Sequence, residues 1–493
     1  MKYSFACLAL ACAFAANAAP ITRSEAQIDS CVNALISRMT LEEKVGQLNQ
    51  YSFGVLDANT LGQARSGAVG SFLNIVNAEE ANAIQREAVE KSRLGIPIVF
   101  ARDVIHGFKT IFPIPIGQAA TWNPELTRLS SAIAADEASS TGVRWTFSPM
   151  LDVCRDARWG RLAEGYGEDP LLNARFGVAA VRGYQGDDLS APNTMAACVK
   201  HFAGYGFVEG GRDYNTTWIP EALLRDVVLP SYKACVDAGA ATLMCSFNDV
   251  NGVPPSGNTY LLQDILRDEW GYNGMVVSDW GSINEMVPHG VAADRKDAAR
   301  LAAIAGVDMD MEGHCYDSGL KTLVEQGVIP ESRIDSLVAN VLRLKYRLGL
   351  FDNPYVDMSR ANRFYEEASL ETALRSVEES AILLKNEGAV LPIDFSKVKS
   401  VAVVGPMADA AHDQAGTWVF DLEKERSVTP LAALRDKYAG KVVYTPGLAY
   451  SRDKKTDGFK DALKAARKSD VVLVFAGEEA VLSGEAHCRT DLR

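Results

Sequence analysis

Gly274-Met275-Val276-Val277-Ser278-Asp279-Trp280 is the stretch on which the reading of this sequence turns. Met275, Val276 and Val277 form a short apolar run between glycines at 274 and 281. Such a run reads as a parallel strand buried on both faces. It stops at Ser278-Asp279-Trp280. A carboxylate at the end of a buried strand is held rigidly and still meets solvent. In a (β/α)8 barrel that end of the strand faces the functional rim. An aromatic ring beside the acid suits a sugar, whose C–H face packs on the ring while its hydroxyls reach the carboxylate. Helix capping alone also accounts for an Asp at this place, so the rest of the chain decides.

Working outward, apolar runs recur at 69–75, 96–100, 145–153, 196–202, 242–247, 275–278 and 307–311, each followed by helical periodicity. An irregular first strand near 47–53 brings the count to about eight. Strands alternating with helices imply parallel pairing. Eight units over roughly three hundred residues fit a (β/α)8 barrel; a doubly wound open sheet has the same periodicity. Residues 28–45 read as a helix, with Thr40 and Glu43 forming a capping box.

The pattern ends near Leu350. The polar stretch 351–362 carries Asn353-Pro354, a linker signal. A helix is expected over 360–385, then a turn at Asn386-Glu387-Gly388. Buried strands follow at 400–406 and 470–477, with a helix at 461–468 between them. The expected organisation is a signal peptide at 1–19, a barrel at 20–350, a linker at 351–370, and the start of an α/β sandwich domain at 371–493.

Composition narrows the function. The chain has 493 residues, 47% apolar and 23% charged, as in ordinary globular domains. The net charge of −13, without a basic cluster, disfavours nucleic acid. Lys2, an apolar core at 5–16 and Ala16-Asn17-Ala18 fit a secretory leader cut after Ala18 or Ala19. A lipid anchor on Cys12 is the weaker alternative. No other stretch reaches transmembrane length. Of nine cysteines, seven lie beyond the leader, and none forms a CxxC pair. Cys198 and Cys245 sit in strand-like runs and read as buried free thiols. The histidines have no metal-ligand spacing and no phosphate loop is present, so neither metal nor cofactor is expected.

The chemistry sits at the predicted strand ends. Phe100-Ala101-Arg102-Asp103 opens into Val104-Ile105-His106-Gly107. The run to Asp152 leads into RDARWGRLAEGYGEDP (155–170), and Lys200-His201-Phe202 closes another run. Any one such end is explained by a cap or an ion pair. Five or more on one rim are harder to explain, because buried charge without a partner is costly. Carboxylates accept from hydroxyls while Lys and Arg donate to them, so this rim suits a ligand rich in hydroxyls.

These motifs, with Leu383-Leu384-Lys385-Asn386, resemble the family 3 glycoside hydrolases, from about Leu41 to the last residue. The match is nearest to the β-glucosidases of the bacterial periplasm. The resemblance implies an exo-acting retaining β-glucosidase that forms a covalent glycosyl-enzyme, with Asp279 as nucleophile. It implies that Asp103, Arg161, Lys200 and His201 bind sugar hydroxyls and that Trp280 floors the subsite. Arg158 is a further candidate, with an ion pair to Asp152 or Asp156 as its structural alternative. The acid/base is expected on the second domain. Glu485 is the choice there, ahead of Glu478 and then Glu479. The family's β-N-acetylglucosaminidases carry a catalytic His in the loop after Lys-His, where this chain has Tyr205. The implied partner is a β-linked oligosaccharide or β-glucoside, with a homodimer as the candidate assembly and the periplasm as location. β-Xylosidase activity, or an inactive carbohydrate-binding relative, are the alternatives. Because the family continues past Arg489-Thr490-Asp491, the second domain is expected to be incomplete.

Overall fold

The computed structural model describes residues 23–492; the leader expected at 1–19 lies outside them. All eight barrel strands form: β1 (Asn49–Ser52), β2 (Ser71–Leu73), β3 (Val99–Arg102), β4 (Trp145–Thr146), β5 (Cys198–Phe202), β6 (Thr242–Cys245), β7 (Met275–Val277) and β8 (Asp310–Met311). Every pairing is parallel. One sheet runs β4-β3-β2-β1-β8 and another runs β5-β6-β7. Parallel bridges Trp145–Ala196 and Val277–Met309 join the two sheets at both seams. The ring is therefore closed, and the open-sheet alternative is set aside. The strands are short because steep tilt and side-chain layering fill a barrel's interior. Val199, Leu243, Val276 and Val277 are fully buried, as parallel strands covered on both faces must be.

Helices cover the ring. Glu331–Arg347 turns Ile334, Leu337, Val338, Val341 and Leu342 inward at helical spacing. The helix expected over 28–45 is two helices, Glu25–Ile36 and Leu41–Gln47. The Thr40 capping box starts the second instead of lying inside one long helix, because an N-cap takes extended backbone. Among the described residues no helix is long and apolar enough to cross a membrane, and Cys198 and Cys245 are buried free thiols.

The helix expected over 360–385 forms only over Glu367–Ser380 and packs on the barrel side. Beyond it lie β9 (Ser400–Val404), β10 (Lys441–Thr445) and β11 (Val471–Val474), in a parallel sheet ordered β10-β9-β11. The central strand β9 buries Val401, Ala402 and Val403. Sequence reading missed β10. Its Val442-Val443-Tyr444-Thr445 run before Pro446-Gly447 was the available signal.

The second domain reaches the barrel mouth through two segments. Residues 417–423 lie along the β3 end: Thr417 O meets His106 Nε2 at 2.7 Å, and Asp421 pairs with Arg102 at 3.0 Å. Residues 484–489 lie along the loop after β4. Gly484 N donates to Gly160 O at 2.8 Å, and Arg489 N donates to Arg158 O at 2.9 Å. Gly160 has no room for a side chain there: a Cβ would fall 1.9 Å from His487 O and 2.6 Å from Gly484 O.

Candidate active site

The barrel brings four strand ends to one place, those of β3, β4, β5 and β7. Asp279 follows β7 and is 8% exposed; its Oδ1 accepts the Trp280 N–H at 2.7 Å. Lys200 and His201 lie in β5. Lys200 Nζ donates to Asp103 Oδ1 at 3.4 Å, joining the β3 and β5 ends. Arg161 comes from the loop after β4 and is buried. Its Nε and Nη2 grip Glu164 at 2.8 and 3.0 Å, and its Nη2 also lies 2.9 Å from His201 Nε2.

That last contact fixes a proton. A guanidinium only donates, so His201 Nε2 accepts from Arg161 and the ring proton is on Nδ1. Nδ1 donates to Asp152 Oδ2 at 2.8 Å. Asp152 also receives the His201 N–H at 2.9 Å and the Tyr232 hydroxyl at 3.0 Å. Asp152 is thus the partner of His201, whereas sequence reading considered it a partner for Arg158. Burial pushes Asp152 up to about 7, against the hydrogen bonds that favour its charge. Burial, with Arg161 and Lys200 nearby, holds the His201 imidazole neutral.

Burial also pushes the Asp279 carboxyl up, and Arg161 and Lys200 pull it down while Glu485 adds to the rise. Asp279 Oδ2 faces His201 Nε2 at 3.6 Å. At that distance the contact is no hydrogen bond, and an ionised Asp279 has no proton to give it. Four buried polar atoms here make no hydrogen bond within 3.5 Å: Asp279 Oδ2, Arg161 Nη1, Tyr205 Oη and Trp418 Nε1. They share one neighbourhood. The Arg161 guanidinium lies 5.5 Å from the Tyr205 ring centre and 5.7 Å from that of Trp418, and Lys200 Nζ lies 5.2 Å from Trp418. Buried polar groups are nearly always satisfied, so such a cluster marks a place built for a polar ligand.

The second domain closes the site. Glu485 is partly exposed; its Oε1 accepts from the Tyr214 hydroxyl at 2.6 Å and lies 3.8 Å from Arg161 Nη1. The other two acids of that region are engaged elsewhere. Glu478 pairs with Arg489 at 2.6 Å, and Glu479 with Ser451 at 2.6 Å. Arg158 pairs with Asp156 at 2.6 Å, its structural alternative. Trp280 is 49% exposed on the rim. Sequence reading missed Glu164, Tyr214 and Trp418 as site residues. Glu164 lay within the quoted 155–170 motif; Trp418 had no local signal, because it sits in a loop of the other domain.

A closed α/β barrel whose carboxylate rim is completed by a second-domain loop is the architecture at hand. The family models for the glycosyl hydrolase family 3 N terminal domain and C-terminal domain match residues 40–344 and 381–493, and the chain belongs to that family. The periplasmic beta-glucosidase of Salmonella typhimurium is 36% identical over 94% of this chain and 64% of its own length. A beta-xylosidase of Formosa agariphila is 34% identical over 97% of this chain and 65% of its own. The crystal structure of a beta-glucosidase from Listeria innocua in complex with isofagomine superposes with a TM-score of 0.87 at 37% identity, covering 93% of this chain and 65% of that one. The chain thus spans less than two thirds of these relatives' lengths.

Proposed function

We propose that this chain carries the active site of an exo-acting retaining β-glucosidase. The observation that carries the reading is the group of buried polar atoms without hydrogen bonds around Asp279, which suits a hydroxyl-rich ring. In this reading the Asp279 carboxylate attacks the anomeric carbon and Glu485 protonates the departing oxygen. A covalent glycosyl-aspartate results. Glu485, now ionised, takes a proton from water as that water displaces Asp279, so the β-configuration is retained. Arg161 and Lys200 keep Asp279 ionisable in a buried place. Asp103, Lys200 and Arg161 donate to or accept from ring hydroxyls. Trp418 and Trp280 offer apolar faces to the sugar. With its Nε2 accepting from Arg161, His201 orients that guanidinium or accepts from a hydroxyl. Arg158, tied to Asp156, belongs to the docking of the 484–489 loop. The glucosidase names among the relatives support the substrate class.

The β-xylosidases among the relatives favour a second reading, a pentose in the same pocket. Export to the periplasm belongs to the same proposal, supported by the leader-like residues 1–19 and the periplasmic relative. A panel of nitrophenyl β-glycosides, with the first-formed anomer read by NMR, tests the reading. Turnover of the β-glucoside with β-glucose released first is expected. Preference for the β-xyloside selects the second reading; α-glucose as first product overturns retention.

A further inference from the structure

We propose that Asp213 is a positioning residue for the acid/base, acting by holding the main chain next to Glu485; this rests on the reading of Glu485 given above. Asp213 lies in the loop after β5 and is buried. Its Oδ2 accepts the Ala486 N–H at 2.7 Å. Its Oδ1 accepts the Trp159 indole N–H at 2.8 Å and the Tyr214 N–H at 3.2 Å. Its own N–H donates to Cys488 Sγ at 2.9 Å. One carboxylate therefore ties the residue after Glu485 to the ring of Trp159. Trp159 is fully buried and packs on Tyr205 with centroids 5.0 Å apart, and Tyr205 lies under Arg161. The anchor is thus continuous with the wall that carries the sugar-facing guanidinium.

The loop needs such an anchor. Glu485 stands between Gly484 at φ +100° and Ala486 at φ +60°. A left-handed alanine is held only where its surroundings over-determine it. Tyr214, at φ +63°, is also left-handed, and its hydroxyl meets the Glu485 carboxylate directly. Consecutive residues of one barrel loop so fix both the backbone and the carboxylate of a group that belongs to the other domain. Hydrogen bonds to an ionised acceptor are the strong kind, which suits a tether across a domain boundary.

Asp213→Asn tests this, because its amide keeps the shape but faces at least one of the three N–H donors with another donor. Misplacing a catalytic group by about an ångström costs up to roughly 10²-fold. The expected result is a loss of about 10–100-fold on cellobiose with little change in the glycosylation of a dinitrophenyl glucoside, which needs no proton. In a Glu485→Ala background Asp213→Asn is expected to change cellobiose turnover by no more than about twofold, because coupled residues are not additive. Amide exchange at residues 485–489 is expected to quicken. Tyr214→Phe, which removes only the hydroxyl, is the second variant, should Asp213→Asn not fold. It is expected to give the same leaving-group pattern more weakly.

Equal losses on both substrates, additivity with Glu485→Ala, or unchanged exchange overturns the positioning role. Leaving-group dependence in Glu485→Ala alone overturns the role of Asp213 and leaves that of Glu485 standing. Its absence in Glu485→Ala overturns the acid/base reading, and the positioning role with it.

Discussion

Arg161 Nη2 lies 2.9 Å from His201 Nε2, and the imidazole presents only a lone pair to Asp279 at 3.6 Å. The charges that favour Asp279 ionisation are those of Arg161 and Lys200. Removing the Lys200 charge therefore raises the Asp279 pKa further. The acid limb of kcat/KM, which reports the free enzyme, is expected to move up by about one pH unit in Lys200→Met. In His201→Gln the limb is expected to stay in place while kcat falls, because no charge is lost. A matching shift in His201→Gln would assign that ring a charged role.

Asp279→Asn is expected to lower β-glucoside hydrolysis by roughly 10⁴-fold or more, the scale of losing a covalent nucleophile. The same change is expected to stabilise the fold at neutral pH. Unfolded Asp ionises near pH 4, whereas burial keeps this carboxyl protonated to higher pH, so its ionisation costs stability above about pH 4. Thermal melts should rise by roughly 2–4 °C at pH 7, and the gain should fade as pH falls toward 4. A lower melting point at pH 7 would contradict the desolvation argument.

Asp103→Asn removes the carboxylate that faces Lys200. KM is expected to rise and kcat to fall together, as for a contact that tightens in the transition state. Steady-state kinetics on nitrophenyl β-glucoside decide it; an unchanged kcat/KM would leave Asp103 a structural partner of Lys200.

Glu485→Ala is expected to cripple cellobiose hydrolysis while sparing glycosylation by dinitrophenyl glucoside. Deglycosylation slows for want of a base, so azide should restore turnover and yield β-glucosyl azide. No azide effect, with equal damage on both substrates, would move the role to another acid.

Gly160→Ala puts a methyl group against His487 O and Gly484 O. The 484–489 loop must then lift, at a cost of about 1–3 kcal/mol. Barrel secondary structure by circular dichroism is expected to persist while cellobiose turnover falls. Wild-type turnover would show that the loop's docking on Gly160 is dispensable.

The barrel was legible because period and composition are local. β7 is a short β-branched run ending in a carboxylate, and seven further runs, the first of them irregular, alternate with helices. Asp103, Lys200 and Asp279 were legible as polar ends of those strands, and the family motifs assigned them roles. Thr40 was legible as a cap, yet the break it makes in the 28–45 helix was passed over, since an amphipathic pattern continues across it. β10 was passed over although its run is as long as that of β9 and is followed by the turn signal Pro446-Gly447.

The sequence by itself determined that strands and helices alternate, which ends of the strands carry charge, and where the second parallel sheet begins, because each depends on neighbours in the chain. The tertiary structure alone decided that the ring closes, through Trp145–Ala196 and Val277–Met309. It also decided that Arg161 is the buried arginine beside Asp279 and Arg158 the more exposed one, paired with Asp156, three residues apart in one motif. Only folding brings Trp418 over Lys200 and Glu485 to Tyr214, across separations of over two hundred residues. Long-range contacts of that kind leave no periodic trace, because the energy that selects them comes from packing two domains together and not from any local pattern.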